Sequence, residues 1–550
     1  MSGDITVNCF RIAKPLKSNP MALAGEVVEW LKNHQDVENV EAIKAFVNIT
    51  LKNEALFRDC VADQQALLDA ALLPADKRKR YLVEYSAPNT NKPQHLGHVR
   101  NNTLGQVNCS LLARVGHDVT PVNLVNDRGI HICKSMLAYE RFGNGDTPES
   151  TTTKGDHFVG NYYVKYAQED KRQAEAEPEQ KPTEIERSAQ QMLVAWEKGD
   201  LGVRSLWQKM NSWVLDGFNQ TYQRMGIQFT QTYYESETFR AGKDIVRQGL
   251  EKGVFYKRED GAIEIDLTSR KLDKKVVLRS DGTSVYITQD IGTTLMKFED
   301  FKPDAMVWVV GDEQIYHFKV LFAILQDLGY SWANDLHHLA YGMVNLPEGR
   351  MKSREGTVVD ADDLFDECAR LAKEETLERW PDLDKDEAVT RGDIIGMAAL
   401  KFMLLKVNPK TTMTFDPKAS IQFEGDTGPY VLYNFARSCA VQRKAADKDI
   451  VLADTIDWSV LSHSSERALA IELSRYGQIL QDAAADLNPS LVADYLLSLA
   501  RAFSKFWTDC PVLIAETDDL KQARLALCIR VQSILGDGID TLTLGKLESM

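Results

Sequence analysis

The sequence predicts a multidomain α/β protein. It comprises a small α/β N-terminal module, a Rossmann-like parallel-sheet domain with insertions, and an all-α C-terminal bundle. Three observations carry this. At 550 residues the chain has room for about three or four domains of ~100–200 residues. Between Tyr81 and Val125 a β-rich run, a Pro/Asn loop, a helical repeat and a second β-rich run follow one another, the order of a β-loop-α-β unit. From about residue 390 onward, apolar side chains recur at helical spacing almost without a break.

Residues 1–76 form the small module, with helical patterns over Met21–Asn33 and Ala62–Leu73 around a short β-like run, Ala45–Leu51. Pro74-Ala75-Asp76 and the basic run Lys77-Arg78-Lys79-Arg80 make a connector, and the run reads either as a solvated turn or as an RNA contact. Residues 77–349 form the parallel-sheet domain. Tyr81–Ser86 suits a buried strand and Pro88–Gln94 a loop. Leu96, Val99, Leu104, Val107 and Leu111 then mark a helix that stops at Gly116, before a strand over Val119–Val125. Insertions are expected near 135–205 and 233–283. Within the first, Gln168–Glu186 is almost devoid of large apolar side chains, which predicts a solvated helical or flexible excursion. Trp207–Gly226 is helical. Val254–Arg279 carries short strands punctuated by Asp260-Gly261 and Asp281-Gly282, both tight-turn pairs. Val285–Ile287 and Ala305–Val310 read as buried strands. Residues 350–420 supply a loop and connecting helices, and 421–550 the bundle. The helical patterns run over Ile394–Val407, Gly428–Ala446, Ser465–Ala485, Ser490–Trp507 and Leu520–Leu535.

Composition narrows the function. With 44% apolar and 26% charged residues the chain is an ordinary globular one, not a disordered one. A net charge of -15, from 65 basic and 80 acidic side chains, argues against a protein that coats polyanions non-specifically. Residues 431–550 hold 12 Lys/Arg against 16 Asp/Glu, so any RNA contact there needs a local face. Arg437, Arg443 and Lys444 share one predicted helix, and Tyr430, Tyr433 and Trp507 either stack unpaired bases or pack in the core. The 8 Cys contain no C-x-x-C pair and read as buried thiols in a reducing compartment. No uncharged apolar run approaches the ~18 residues of a membrane span, and Met1–Ile12 has no signal-like apolar core. A soluble cytoplasmic protein with no membrane association is the expectation.

The segment richest in chemistry is Ser86-Ala87-Pro88-Asn89-Thr90-Asn91-Lys92-Pro93-Gln94-His95-Leu96-Gly97-His98. Two His at i and i+3 share one face of a first helical turn, where free N–H groups and the positive end of the dipole point at the loop. That arrangement suits a triphosphate. The dipole disfavours a further fixed positive charge, so the imidazoles are expected as neutral hydrogen-bond donors to phosphoryl oxygens. Gly97, lacking a Cβ, would let a flat base approach the backbone, and Lys92 can set an ammonium on the same phosphates. The alternatives are a zinc site or mere decoration of the helix. Zinc needs further ligands, yet the Glu and the i+4 spacing of H-E-x-x-H are missing and no Cys pair lies nearby, so no bound zinc is expected. Decoration leaves the surrounding strand, loop and helix unexplained.

His95-Leu96-Gly97-His98 resembles the HIGH signature of class I aminoacyl-tRNA synthetases. The lead-in Val83-Glu84-Tyr85-Ser86-Ala87-Pro88-Asn89, with Lys92, resembles the arginyl-tRNA synthetases in particular. Gly282–Gly292, Val309–Gln314, Phe423–Tyr430, Cys510–Leu513, Ala523–Leu527 and the closing Met550 extend the resemblance, which runs from about residue 40 to the end. It implies a class I catalytic domain, an anticodon-binding C-terminal bundle, and an N-terminal module of the kind that touches the tRNA elbow, here short. The implied activity is arginine–tRNA ligation. ATP with Mg²⁺, L-arginine and tRNA(Arg) are the implied partners, with no resident metal and a monomeric chain. The second class I signature, KMSKS, has its counterpart in Arg350–Thr357, with Arg350 in place of the first Lys and Ser353 in place of the second. Arginyl enzymes often lack that second Lys, and Lys92 is held to supply the missing charge. The implied catalytic residues are Lys92, His95, His98 and Lys352. ATP is implied to lie on Pro88, Asn89, His95, Gly97, His98, Met343, Val344, Met351 and Lys352.

For arginine, the resemblance implies Glu84 and Asp290 facing the guanidinium, Tyr286 adding a hydroxyl, and Asn89 and Gln314 holding the α-amino and carboxylate end, with Ser86 nearby. The chemistry agrees, since a planar fork of five donors needs carboxylates that accept it bidentately. A shorter ammonium would leave those acceptors unpaired, which rejects lysine. Tyr286 and Asp290, four residues apart, share a face if a helix begins there. In the competing view Asp290 caps that helix and Tyr286 is core.

Overall fold

The computed structural model describes residues 3–239, 242–347 and 359–550. The chain divides into two compact units, Met1–Leu73 with Gln422–Asp486 and Leu491–Met550, and Pro74–Ile421 with Leu487–Ser490.

In the first unit, strands Ile5–Asn8, Phe46–Leu51 and Val37–Ile43 form an antiparallel sheet with Phe46–Leu51 in the middle. Helices Cys9–Leu16 and Pro20–Leu31 accompany it, and Cys9, Ala24, Ala45, Val47 and Ile49 make the core. Pro20 opens its helix at N1, and the Asn19 side chain accepts from the N–H groups of Met21 and Ala22. Five long helices complete the unit: Gly428–Ala446, Ser464–Ser474, Tyr476–Ala485, Ser490–Asp509 and Asp518–Thr541. The single pattern expected over Ser465–Ala485 is broken at Arg475. Module and helices are tied together by Arg467, which bonds Asp4 and Asn53, and by Arg530, which donates to the carbonyls of Val61 and Ala62.

The second unit is built on five parallel strands. They are β1 (Arg80–Glu84), β2 (Asp118–Val125), β3 (Gln231–Tyr234), β4 (Ala305–Gly311) and β5 (Leu336–Tyr341), in the spatial order β5-β4-β1-β2-β3. Their apolar side chains, among them Leu82, Val122, Met306, Trp308 and Leu336, enter one core with Ile291, Phe318 and Ile324. The strand order reverses between β1 and β4, and in doubly wound sheets ligands bind beyond the carboxyl ends of the strands at that switch. Helix α1 (Leu96–Arg114) leads from β1 to β2. The insertion after β2 contains α2 (Gly155–Ala176), α3 (Glu184–Lys198) and α4 (Leu201–Met225). Helix α5 (Tyr286–Phe301) precedes β4, and α6 (Ile315–Asp327) follows it. A two-stranded parallel ribbon joins β6 (Val344–Asn345) to β7 (Met413–Thr414), with α7 (Ala361–Arg379) and α8 (Lys385–Leu405) between them in sequence.

Two expectations are corrected here. Val285–Ile287 is not a strand, because Val285 is the N-cap of α5 and its apolar neighbours face the core from a helix. Of the two readings of the first insertion, helical holds, but it is packed rather than solvated throughout. Ile185, Ala189, Met192 and Trp196, spaced i, i+4, i+7 and i+11, are buried along α3, and Phe158, Val159 and Tyr166 along α2. The polar stretch Gln168–Glu186 covers the end of α2, the turn between the helices and the first three residues of α3. In the connector, Lys79 and Arg80 are paired with Asp335 and Asp304 at 2.8 and 2.9 Å, which takes two of its four cations into a solvated structural role. Among the described residues no helix is long and apolar enough to cross a membrane.

Candidate active site

Immediately after β1 the backbone turns through two left-handed residues, Ser86 at φ 78° and Ala87 at φ 45°. For residues with a Cβ this costs ~1–3 kcal/mol each and persists only where neighbours enforce it. The Ser86 N–H donates to Asn101 Oδ1 at 2.6 Å, and the Ala87 N–H to Asn123 Oδ1 at 3.0 Å. Asn101, on α1, also donates to the Val309 carbonyl of β4 at 2.7 Å. One side chain thus clamps both strands that flank the switch. The Ser86 hydroxyl, expected near arginine, is buried and shared with Tyr222 at 2.7 Å, so it shapes the turn. Buried Pro88 accepts from the Asn126 N–H at 3.0 Å, which leaves Asn89 exposed above the strand ends.

The two histidines follow, with ring centroids 4.0 Å apart. His95 is the N-cap of α1, not part of its first turn, and His98 is the third helical residue. His98 Nδ1 accepts from the His95 N–H at 3.2 Å, and His95 Nδ1 accepts from the Gly97 N–H at 3.1 Å. A ring nitrogen that accepts a hydrogen bond carries no proton, so each neutral ring holds its proton on Nε2 as a donor. Burial, then the charge of Lys92, brings His95 down to about 4. Burial, His95 and Lys92 hold His98 well below the ordinary range. The expected free amides are corrected: the Leu96 N–H donates to the Val359 carbonyl at 3.0 Å and the Gly97 N–H is taken by His95. Gly97 also has a nearer reason than a nucleotide base, since a Cβ there would lie 2.9 Å from His95 Cε1.

Lys92 owes its place to the insertion. The Lys92-Pro93 loop rests on Gly160 of α2, where a Cβ would come within 2.8 Å of Pro93 Cδ. Reading the sequence misses this, because the contact joins segments that share no periodicity.

Of the residues expected on arginine, α5 presents Tyr286, 79% exposed, and Asp290 one turn later. Asp290 lies inside the helix and does not cap it, and Tyr286 is not core. Asp290 Oδ2 lies 2.5 Å from His317 Nε2 on α6. Gln314, just before α6, is exposed. Glu84 differs from the expectation of a carboxylate open to a guanidinium: it is buried and ion-paired with Lys297 of α5, itself buried. Lys297 and His317 are the residues missed. A lysine three positions beyond Thr294, on the Ile287–Ile291–Thr294 face, was the available sign of a buried cation.

Met343 is 62% exposed and Val344 half-buried at the start of the β6–β7 ribbon. The expected Met351 and Lys352, with the rest of Arg350–Thr357, lie outside the described residues. Beyond them, the Ala361 N–H donates to the Gln94 carbonyl at 3.0 Å, so Val359–Ala361 is stitched to the histidine loop. Lys154 Nζ lies 3.1 Å from Asp156 Oδ2 and 2.5 Å from Asp362 Oδ2, and His157 Nε2 lies 3.3 Å from the same Asp362 oxygen. Burial opposes a charge on His157, but Asp362 and Asp360 outweigh it and raise the ring's pKa. Asp156, His157 and Asp362 are spaced to hold a metal ion, yet the Lys154 ammonium already bridges the two carboxylates.

In the first unit, Tyr433, Arg437, Arg443 and Lys444 of helix Gly428–Ala446 line a cavity of about 320 Å³ together with Trp507 and Met550. Arg437 donates to the Tyr433 hydroxyl at 2.9 Å with its guanidinium 4.7 Å from the ring centre. Tyr430 bonds Ser504 at 3.3 Å instead.

Comparison with known proteins places the chain in a family. A family model described as tRNA synthetases class I (R), catalytic domain, matches residues 63–416. A DALR anticodon binding domain matches 431–550, and an arginyl tRNA synthetase N terminal domain matches 1–51, which extends the likeness to the start of the chain. An arginine–tRNA ligase of Bacteroides thetaiotaomicron is 44% identical over 98% of this chain and 92% of its own length. One of Treponema denticola is 43% identical over 100% and 93%. The solved Thermus thermophilus arginyl-tRNA synthetase superposes with a TM-score of 0.85 at 28% identity, covering 100% of this chain and 95% of that one. With its histidine pair at the switch of a doubly wound sheet and these matches along its length, the chain belongs to the arginyl-tRNA synthetase family of class I aminoacyl-tRNA synthetases.

Proposed function

We propose that this chain is an arginine–tRNA ligase that joins L-arginine to ATP at the carboxyl ends of β1 and β4, then passes the arginyl group to tRNA(Arg). The observation that carries the site is the His95–His98 pair, two neutral rings with Nε2 protons free to donate beside Lys92. An arginine carboxylate oxygen attacks the α-phosphorus, the bond to the bridging oxygen of the β-phosphate breaks, and pyrophosphate leaves. No proton moves and no covalent enzyme intermediate forms. The residues therefore act by placement and by donation toward negative charge as it builds, with Lys92, His95 and His98 in that role and Lys352 joining them. ATP enters as its Mg²⁺ complex, with its base toward Gly97, Met343, Val344 and Met351 and its phosphates near Pro88 and Asn89.

Arginine lies between Tyr286, Asp290, Asn89 and Gln314, with Glu84 behind them. In the second step a terminal ribose hydroxyl of the tRNA attacks the adenylate carbonyl, passes its proton to the departing phosphate, and AMP leaves. The cavity of Tyr433, Arg437, Arg443, Lys444 and Trp507 reads unpaired bases by stacking and charge. The protein works as a cytoplasmic monomer, and the thiols Cys9, Cys133, Cys368, Cys439, Cys510 and Cys528, all free and buried, suit a reducing compartment.

ATP–pyrophosphate exchange with arginine, run with and without tRNA(Arg), tests this. Exchange that requires both arginine and tRNA, as the resemblance to the arginyl enzymes implies, supports it. Exchange indifferent to tRNA points to a small-molecule nucleotidyltransferase, and none at all to a silent RNA-binding relative.

A further inference from the structure

Arg100 is fully buried on α1, two residues beyond His98. Among the described residues no carboxylate pairs with it. Its Nη1 donates to the carbonyls of Gly342 at 2.7 Å and Met343 at 3.0 Å, and its Nη2 to those of Pro409 at 3.2 Å and Thr411 at 2.9 Å. Backbone oxygens take both Nη groups of this buried cation, while its buried Nε has no hydrogen-bond partner among the described residues. The four carbonyls belong to the two segments that enter β6 and β7. These segments also bond each other, with the Gly342 N–H donating to the Pro409 carbonyl at 2.9 Å and the Met413 N–H to the Met343 carbonyl at 3.0 Å. The guanidinium therefore pins the closed end of the ribbon to the helix that carries the histidines. The Met343 carbonyl has two donors already, so a base held at Met343–Val344 must be read through other groups of that edge.

We propose that Arg100 is a positioning residue for ATP, holding the Gly342–Val344 edge at a fixed distance from His95 and His98 so that base and triphosphate are bound in register. Along a helix each residue advances ~1.5 Å, so Arg100 stands ~3 Å along the axis beyond His98, and the ribbon it holds is fixed to the same rigid element that carries the pair. Lysine replaces it only in part, because one ammonium lacks the planar fork that reaches two segments at once. The inference rests on the placement of ATP between the histidines and Met343–Val344.

The test is aminoacylation kinetics of Arg100→Lys and Arg100→Met in the full chain, with His95→Asn and His98→Asn alongside. The expected result for Arg100→Met is a rise in the KM for ATP of about tenfold or more, with the KM for arginine within about twofold, and partial recovery in Arg100→Lys. Should Arg100→Met fail to fold, Arg100→Lys carries the test with an ATP-selective rise of about threefold. Equal shifts in both KM values, or a fall in kcat alone, would overturn the proposal while the histidine variants still weaken ATP. If the histidine variants also leave ATP unaffected, the placement of ATP itself is what fails.

Discussion

Asp290 on α5 meets His317 on α6 across 2.5 Å, carboxylate oxygen to Nε2, one helical turn below the exposed hydroxyl of Tyr286. The imidazole occupies one oxygen of the carboxylate and fixes its orientation, so Asp290 is held in place rather than rotating freely.

Removing that charge should act on one substrate. Asp290→Asn is expected to raise the KM for arginine by about 10- to 100-fold, the size of a charged hydrogen bond worth ~1.5–3 kcal/mol, and the KM for ATP far less. Steady-state aminoacylation at varied arginine and varied ATP checks this, and equal effects on the two would reject the assignment.

Glu84 and Lys297 form a pair with little access to water, their side chains 8% and 1% exposed. Deleting one partner of such a pair leaves a stranded charge. Lys297→Met should destabilise the second unit by about 3–5 kcal/mol, and the double variant Glu84→Gln/Lys297→Met should recover most of it. Urea denaturation of the wild type, Glu84→Gln, Lys297→Met and the double variant measures the difference, and additive losses would show that the pair does not act as a unit.

The histidine pair makes a statement about pH. His95 has a folded pKa of about 4 against an ordinary 6.5, so the unfolded chain binds the extra proton first as pH falls. Its contribution to stability is complete above about 6.5 and is lost as pH drops toward 4. His95→Asn should flatten that part of the acid limb in thermal melts between pH 6.5 and 4. In the wild type, the KM for ATP should show no ionisation of His95 between pH 5.5 and 8.

In the cavity around Trp507, stacking of one base is worth ~1–3 kcal/mol. Trp507→Ala and Arg437→Ala should each raise the KM for tRNA by about tenfold or more. Filter binding with a transcript altered in its anticodon should then show less discrimination than the wild type, and unchanged discrimination would move base recognition elsewhere.

Much of this was readable from one dimension. His95-Leu96-Gly97-His98 announced itself because a strand, a Pro/Asn loop and a helix stood around it, and the C-terminal helices emerged near their observed places, though one was split at Arg475 and the last extends six residues further. The failures share a cause. Val285–Ile287 looked like a strand because three apolar residues carry no period long enough to tell helix from strand. Residues 168–186 looked solvated because the apolar stripes of α2 and α3 lie mostly outside that window.

What the sequence alone determined was the order of elements, their inward faces and the chemical types gathered near the switch point, since periodicity and turn residues are local signals. Tertiary structure decided the partners. Lys297 neutralises Glu84 across 213 positions, Arg100 finds four carbonyls on two distant segments, and Gly160 makes room for the Lys92 loop. A charged or polar group shows in sequence only as a residue type. Which opposite charge or carbonyl satisfies it depends on where burial leaves no water to do so, and that is a property of the packed chain.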